Sequence, residues 1–76
     1  MSSTIILNES NRISIRLGSG VTAHYSYKTL VAAEVPGVGK FKTNTYYSRT
    51  TSKHLGQFGM GGAEPVEQDK LEAMVK

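Results

Sequence analysis

The residue types best suited to chemistry crowd into Arg49-Thr50-Thr51-Ser52-Lys53-His54, where three hydroxyls, two fixed cations and an imidazole share six positions. At a helix start, hydroxyls and free backbone N–H groups bind anions, phosphate above all, and adjacent cations add to the attraction. The same Thr and Ser side chains are also ordinary N-caps for the first unpaired N–H groups of a helix. Both roles can fall to different side chains of one segment. The longer stretch from Lys40 to His54 holds four of the nine cations, three of the six aromatics and no acid.

Catalysis is poorly supplied. The chain has two histidines, His24 and His54, no cysteine and a single aspartate, Asp69, in a stretch that reads as an exposed helix. Two histidines without an acid beside them in the strands make neither a closed metal site nor a triad, so the expectation is a non-enzymatic protein without metal or cofactor. Gly37-Val38-Gly39-Lys40 looks like a phosphate loop only superficially, because the spacing, the hydroxyl after the lysine and the following helix are missing. It reads as a turn. The tyrosines at 25, 27 and 47 read as core residues with their hydroxyls at its edge.

The elements that must position these residues follow from periodicity. Thr4 to Asn8 is a short β-rich run, and Arg12 to Leu17 alternates strictly, with Ile13, Ile15 and Leu17 on one face. Val21 to about Ala33 reads as the next strand, with a bulge or bend near Thr29-Leu30. A three-residue loop at 18–20 pairs Leu17 with Val21, Ile15 with Ala23 and Ile13 with Tyr25, and on the other face Arg16 with Thr22, Ser14 with His24 and Arg12 with Ser26. Val35-Pro36-Gly37-Val38-Gly39 is a turn, with proline at the first central position and glycine at the second. Lys40 to Tyr47 then returns as the last strand, Phe41, Thr43, Thr45 and Tyr47 inward. A short helix from about Lys53 to Phe58 directs Leu55 and Phe58 at the core. Gly56 to Ala63 forms a flexible connector, and 64–76 a helix with Pro65 at its first position and a Leu71, Met74, Val75 stripe.

The expected fold class is therefore α+β: an antiparallel meander of three to four strands, one face covered by both the short helix and the C-terminal helix. Seventy-six residues make one domain, with 1–3 frayed. A chain of this length buries only roughly 60–65% of the surface its unfolded form exposes, and without disulfides it is expected to lean on a partner or a second copy. The absence of cysteine fits a reducing compartment, and no apolar run is long enough to span a bilayer or serve as a signal-peptide core.

Net charge is +3, distributed as +1 over residues 1–20, +4 over 21–56 and −2 over 57–76. The uncovered face is expected to show Arg12, Ser14, Arg16, His24, Ser26, Lys28, Lys40, Lys42, Asn44 and Tyr46, with no acid. Such a face suits a polyanion, cations on phosphate and aromatics on bases. It equally suits a plain solvated sheet face, with lysines guarding the edges.

Three segments carry a resemblance: 25–32 (YSYKTLVA), 42–54 (KTNTYYSRTTSKH) and 67–74 (EQDKLEAM). Together they resemble a family of small uncharacterised proteins of tailed bacteriophages, with Tyr47-Ser48-Arg49-Thr50-Thr51-Ser52-Lys53-His54 the most distinctive portion. The resemblance spans roughly residues 12–75 and implies a phage protein acting in the host bacterial cytoplasm. It implies no activity. The glycine-rich 56–62 region departs from the longer helix expected after the histidine. The resulting expectation is an accessory protein that binds nucleic acid or a nucleoprotein through Arg12, Arg16, Lys28, Lys40, Lys42, Tyr46, Arg49, Ser52, Lys53 and His54. The alternative is an inhibitor of a host factor, such as an antiviral defence complex, that docks on an acidic protein surface.

Overall fold

A computed structural model describes residues 3–9, 11–45 and 49–75. It is a small α+β fold with a six-stranded sheet and two helices: β1 (Thr4–Glu9), β2 (Arg12–Arg16), β3 (Thr22–Ser26), β4 (Thr29–Val35), β5 (Gly39–Thr43), α1 (Arg49–Gln57), β6 (Glu64–Val66) and α2 (Gln68–Met74). The strands lie in chain order across the sheet, each antiparallel to the one before, except that β6 runs parallel to β5. Among the described residues, no helix is long and apolar enough to cross a membrane.

The β2–β3 register follows from the alternation in the sequence. Arg12 faces Ser26, Ile13 faces Tyr25, Ser14 faces His24, Ile15 faces Ala23 and Arg16 faces Thr22. The Leu17 N–H donates to the Val21 carbonyl at 2.8 Å and closes the expected three-residue loop. At the β4–β5 turn, the Val38 N–H reaches the Val35 carbonyl at 3.0 Å, and Gly37 takes φ of 75°. That is a type II turn, with Pro36 and Gly37 where their backbones demand.

The stretch from Val21 to Ala33 is two strands, not one. Tyr27 and Lys28 take φ of 50° and 67° and form a two-residue turn between the paired residues Ser26 and Thr29. Positive φ at both central positions is the geometry of a type I′ hairpin, which Asn-Gly usually marks; Tyr-Lys hides it. The irregularity placed near Leu30 is real but sits at Val31, the extra residue between Leu30, paired with Tyr25, and Ala32, paired with His24.

Two further expectations are corrected. Residues 64–66 form a strand, because Phe41, Lys42 and Thr43 offer an open edge alongside Glu64, Pro65 and Val66. Pro65 therefore sits on an edge strand, where a missing N–H is tolerated, and the helix starts at Gln68. Within 56–63, Gly56 belongs to α1, and Met60 and Ala63 are buried, so the segment is anchored at two points.

The helices lie on opposite faces of the sheet instead of sharing one. α2 packs Leu71, Met74 and Val75 against Val21, Ala23, Leu30, Ala33, Val66 and Phe41. This is the larger core, and fully buried Leu71 contributes about 2–3 kcal/mol to it. On the other face Ala32, Met60 and Ala63 form a smaller cluster with Leu55 and Phe58. The face expected to be open is thus largely roofed by α1. Alternation along β2 to β5 makes one side apolar and the other polar, and α1 brings polar groups of its own to the polar side.

Candidate functional site

Beneath α1 the polar side chains of adjacent strands join in a buried seam. Ser14 on β2 stands directly opposite His24 on β3, and its Oγ lies 2.6 Å from His24 Nδ1. His24 Nε2 reaches Glu34 Oε2 on β4 at 2.7 Å. With the Nε2 proton donated to the carboxylate, Nδ1 of a neutral ring accepts from the Ser14 hydroxyl. Two residues further along β3, Ser26 Oγ lies 2.7 Å from His54 Nδ1 and 3.3 Å from Thr51 Oγ1, both on α1. The rings of His24 and Phe58 approach to 4.7 Å, and those of His54 and Tyr27 to 5.6 Å.

Thr51 and His54 face the sheet because they lie three apart on the helix and share one face. The hydroxyls expected to cap the helix, Thr50, Thr51 and Ser52, lie instead within its first turns, and Thr51 is buried, since α1 begins at Arg49. Burial holds His54 below its ordinary value of 6.5, and the nearby charges of Arg12 and then Lys53 push the same way, against a smaller opposing effect of Glu9. A neutral His54 suits a partner that is only a hydroxyl.

Serine, histidine and carboxylate in a row have the composition of a nucleophilic relay, but Ser14 is only 4% exposed and has almost no surface to offer a substrate. What the row does is join three strands and shape the bed on which α1 lies. Glu34 is the residue that sequence reasoning missed. The polar face carries acids after all, and His24 has one beside it. Recognising the turn at Tyr27-Lys28 together with the bulge at Val31 would have revealed this, because the two set Thr22 opposite Glu34, one step along the same face from His24.

The cations expected to bind are distributed by this arrangement. Arg49, Ser52 and Lys53 are exposed on α1, with Arg49 and Lys53 four apart on one stripe. Lys42 and Ser52 line one depression of about 340 Å³ with Asn44, Thr45 and Gly61. Arg16 and Lys40 flank Glu34 in an open cleft of about 750 Å³, which Gly37 and Val38 complete. Arg12 is half-buried, held by both Glu9 carboxylate oxygens and lying 5.9 Å over the Phe58 ring. Two expected contacts face elsewhere. His54 points into the seam, and Lys28 lines a hollow on the α2 side with Leu30, Gln68 and Glu72. Tyr46 lies outside the described residues.

Acids separate by face as well. Glu67, Asp69 and Glu72 belong to α2 or its cap, and Glu64 shares the α2 side of β6 with buried Val66. Among the described residues, only Glu9 and Glu34 stand on the α1 side, and each is engaged, by Arg12 and His24.

Residues 1–73 match the model of a family of unknown function (DUF8033). No curated protein and no solved structure matches the chain.

Proposed function

The chain belongs to the DUF8033 family, whose function is not known, and we propose that it is a non-enzymatic nucleic-acid-binding protein that presents α1 and the flanking sheet rim to phosphate. The observation that carries this reading is the separation of charge across the sheet. On the α1 side both acids are internally engaged, while Arg16, Lys40, Arg49 and Lys53 make no ion pair among the described residues. Lys42 reaches only the Gly61 carbonyl, at a long 3.4 Å. A surplus of positive charge over a helix and the ends of the sheet it crosses attracts a polyanion and orients it. Arg16 and Lys40 stand on strands three positions apart, roughly 14 Å, so the surface is broad enough for several phosphates.

The site differs from the open sheet face in one respect that matters for specificity. The polar seam is roofed and Tyr27 is the exposed ring nearest α1, so stacking on a row of bases has little support. Binding is expected to depend on backbone charge with little sequence preference. The phage resemblance makes an accessory role in an infected bacterium the setting we propose.

The test is fluorescence anisotropy of labelled single-stranded DNA, duplex DNA and RNA at about 50 and 200 mM salt. Contacts to about five phosphates predict a loss of roughly a hundredfold or more in affinity between those salt concentrations. Absence of binding at the lower salt rejects the reading and leaves capture of a host protein as the next experiment.

A further inference from the structure

We propose that β1 is the seam of a symmetric dimer, in which the free edge of Thr4–Glu9 pairs antiparallel with the same strand of a second copy. Five of the six strand residues are exposed, including Ile5 at 58% and Ile6 at 52%. β1 packs chiefly on β2, and neither helix covers it to any extent. Exposed edges are normally guarded by lysine, proline or shortness. The opposite edge obeys this, since β6 has three residues with Pro65 at its centre. β1 has twice that length and holds neither lysine nor proline.

The occupant follows from the strand itself. A two-fold axis through Ile6 sets Ile6 against its own copy, Ile5 against Leu7 and Thr4 against Asn8, so the apolar residues meet one another. The bulge leaves Ile6 without a partner on β2, and the axis falls on that residue. Residues 3–8 carry no charge and Glu9 is held by Arg12, so two chains of net charge +3 meet there without like-charge contact. A 76-residue chain whose apolar groups are divided between two small clusters also gains more from self-association than a larger domain would.

Edge pairing about an axis normal to the sheet keeps the two α1 helices on one side of a continuous sheet. If the nucleic-acid reading above holds, the two basic surfaces face the same way. The dimer itself does not depend on that reading.

The experiment is sedimentation equilibrium of the full chain at concentrations on the order of tens of micromolar, with a result of twice 8.3 kDa expected. Ile6→Lys should return the mass to one chain with an unchanged circular dichroism spectrum. Because the chain has no cysteine, Ile6→Cys supplies a single thiol at the axis, where facing Cα atoms lie roughly 4.5–5.5 Å apart, within reach of a disulfide. Rapid oxidative cross-linking of Ile6→Cys, well ahead of Val38→Cys at a more exposed turn, supports the seam, and it decides the matter even if Ile6→Lys fails to fold. A single-chain mass for the unaltered protein overturns the proposal, whatever else then occupies the edge. So does cross-linking of Ile6→Cys no faster than that of Val38→Cys.

Discussion

His24 Nε2 lies 2.7 Å from Glu34 Oε2, so the carboxylate at the lip of an open cleft reaches under α1 to hold a buried ring. Glu34 is about a third exposed while His24 is buried, which makes the interaction a charge-assisted hydrogen bond at the boundary of the seam. Its removal strands a donor that water reaches poorly. Glu34→Ala is expected to lower stability by about 1–2 kcal/mol, because the unsatisfied Nε2–H then bears its own desolvation cost. Glu34→Gln keeps an acceptor in place and should lose less than half of that. Urea denaturation followed by circular dichroism separates the two, and equal losses would mean that the carboxylate's charge, and not the hydrogen bond, is what matters.

The second histidine makes stability depend on pH. Burial and the charges of Arg12 and Lys53 hold His54 in the folded protein below 6.5, so the unfolded chain takes up the proton more readily. The sign follows directly. The His54 contribution is complete above about pH 6.5 and is lost as pH falls from there through the lower folded value, below which both states are protonated. The slope in that window is at most about 1.4 kcal/mol per pH unit. Denaturation midpoints measured between about pH 5 and 8 should decline toward acid, and His54→Asn, whose amide can still meet Ser26, should flatten the decline. An unaltered slope in that variant would assign the effect to other groups.

How far the sequence discloses this molecule depends on the chemistry of each turn. Gly18-Ser19-Gly20 and Pro36-Gly37 announce their backbones, and strict alternation in Arg12 to Leu17 leaves a single register that keeps apolar pairs together. Those parts were readable residue by residue. Tyr27-Lys28 carries no turn chemistry, and its even spacing with Val21, Ala23 and Tyr25 continues the strand pattern through the turn. Missing it concealed the partner of His24. The side on which α1 docks was equally hidden, because Leu55 and Phe58 fit either face, and the decision rests on Ser26, Thr51 and His54 meeting in space. β6 is held by long-range parallel pairing, which no local pattern in Glu64-Pro65-Val66 reveals.

The hidden turn is also testable. Lys28 has φ of 67°, a region that costs an L-residue roughly 1–2 kcal/mol and costs glycine almost nothing. Glycine adds freedom to the unfolded chain, which offsets part of the gain. Lys28→Gly is therefore expected to stabilise by about 0.5–1 kcal/mol, a rise of several degrees in Tm for a domain of this size. Tyr27 is left in place because its ring packs near His54. A fall in Tm would show that the Lys28 side chain makes contacts near Glu72 worth more than the strain.

Charge reversal at two lysines separates the proposed binding surface from the chain's net charge. Lys53 is exposed on α1, beside Arg49 and Ser52, while Lys28 stands across the sheet among α2 residues. Lys53→Glu and Lys28→Glu change net charge equally, so a protein held to nucleic acid only by its overall charge would lose affinity equally in both. If phosphate lies along α1, Lys53→Glu should weaken binding about tenfold or more at low salt and reduce the dependence on salt by about one phosphate contact. Lys28→Glu should stay within about twofold of the unaltered chain. Anisotropy titrations of both variants at two salt concentrations check this, and a larger loss in Lys28→Glu would move the binding surface to the α2 side.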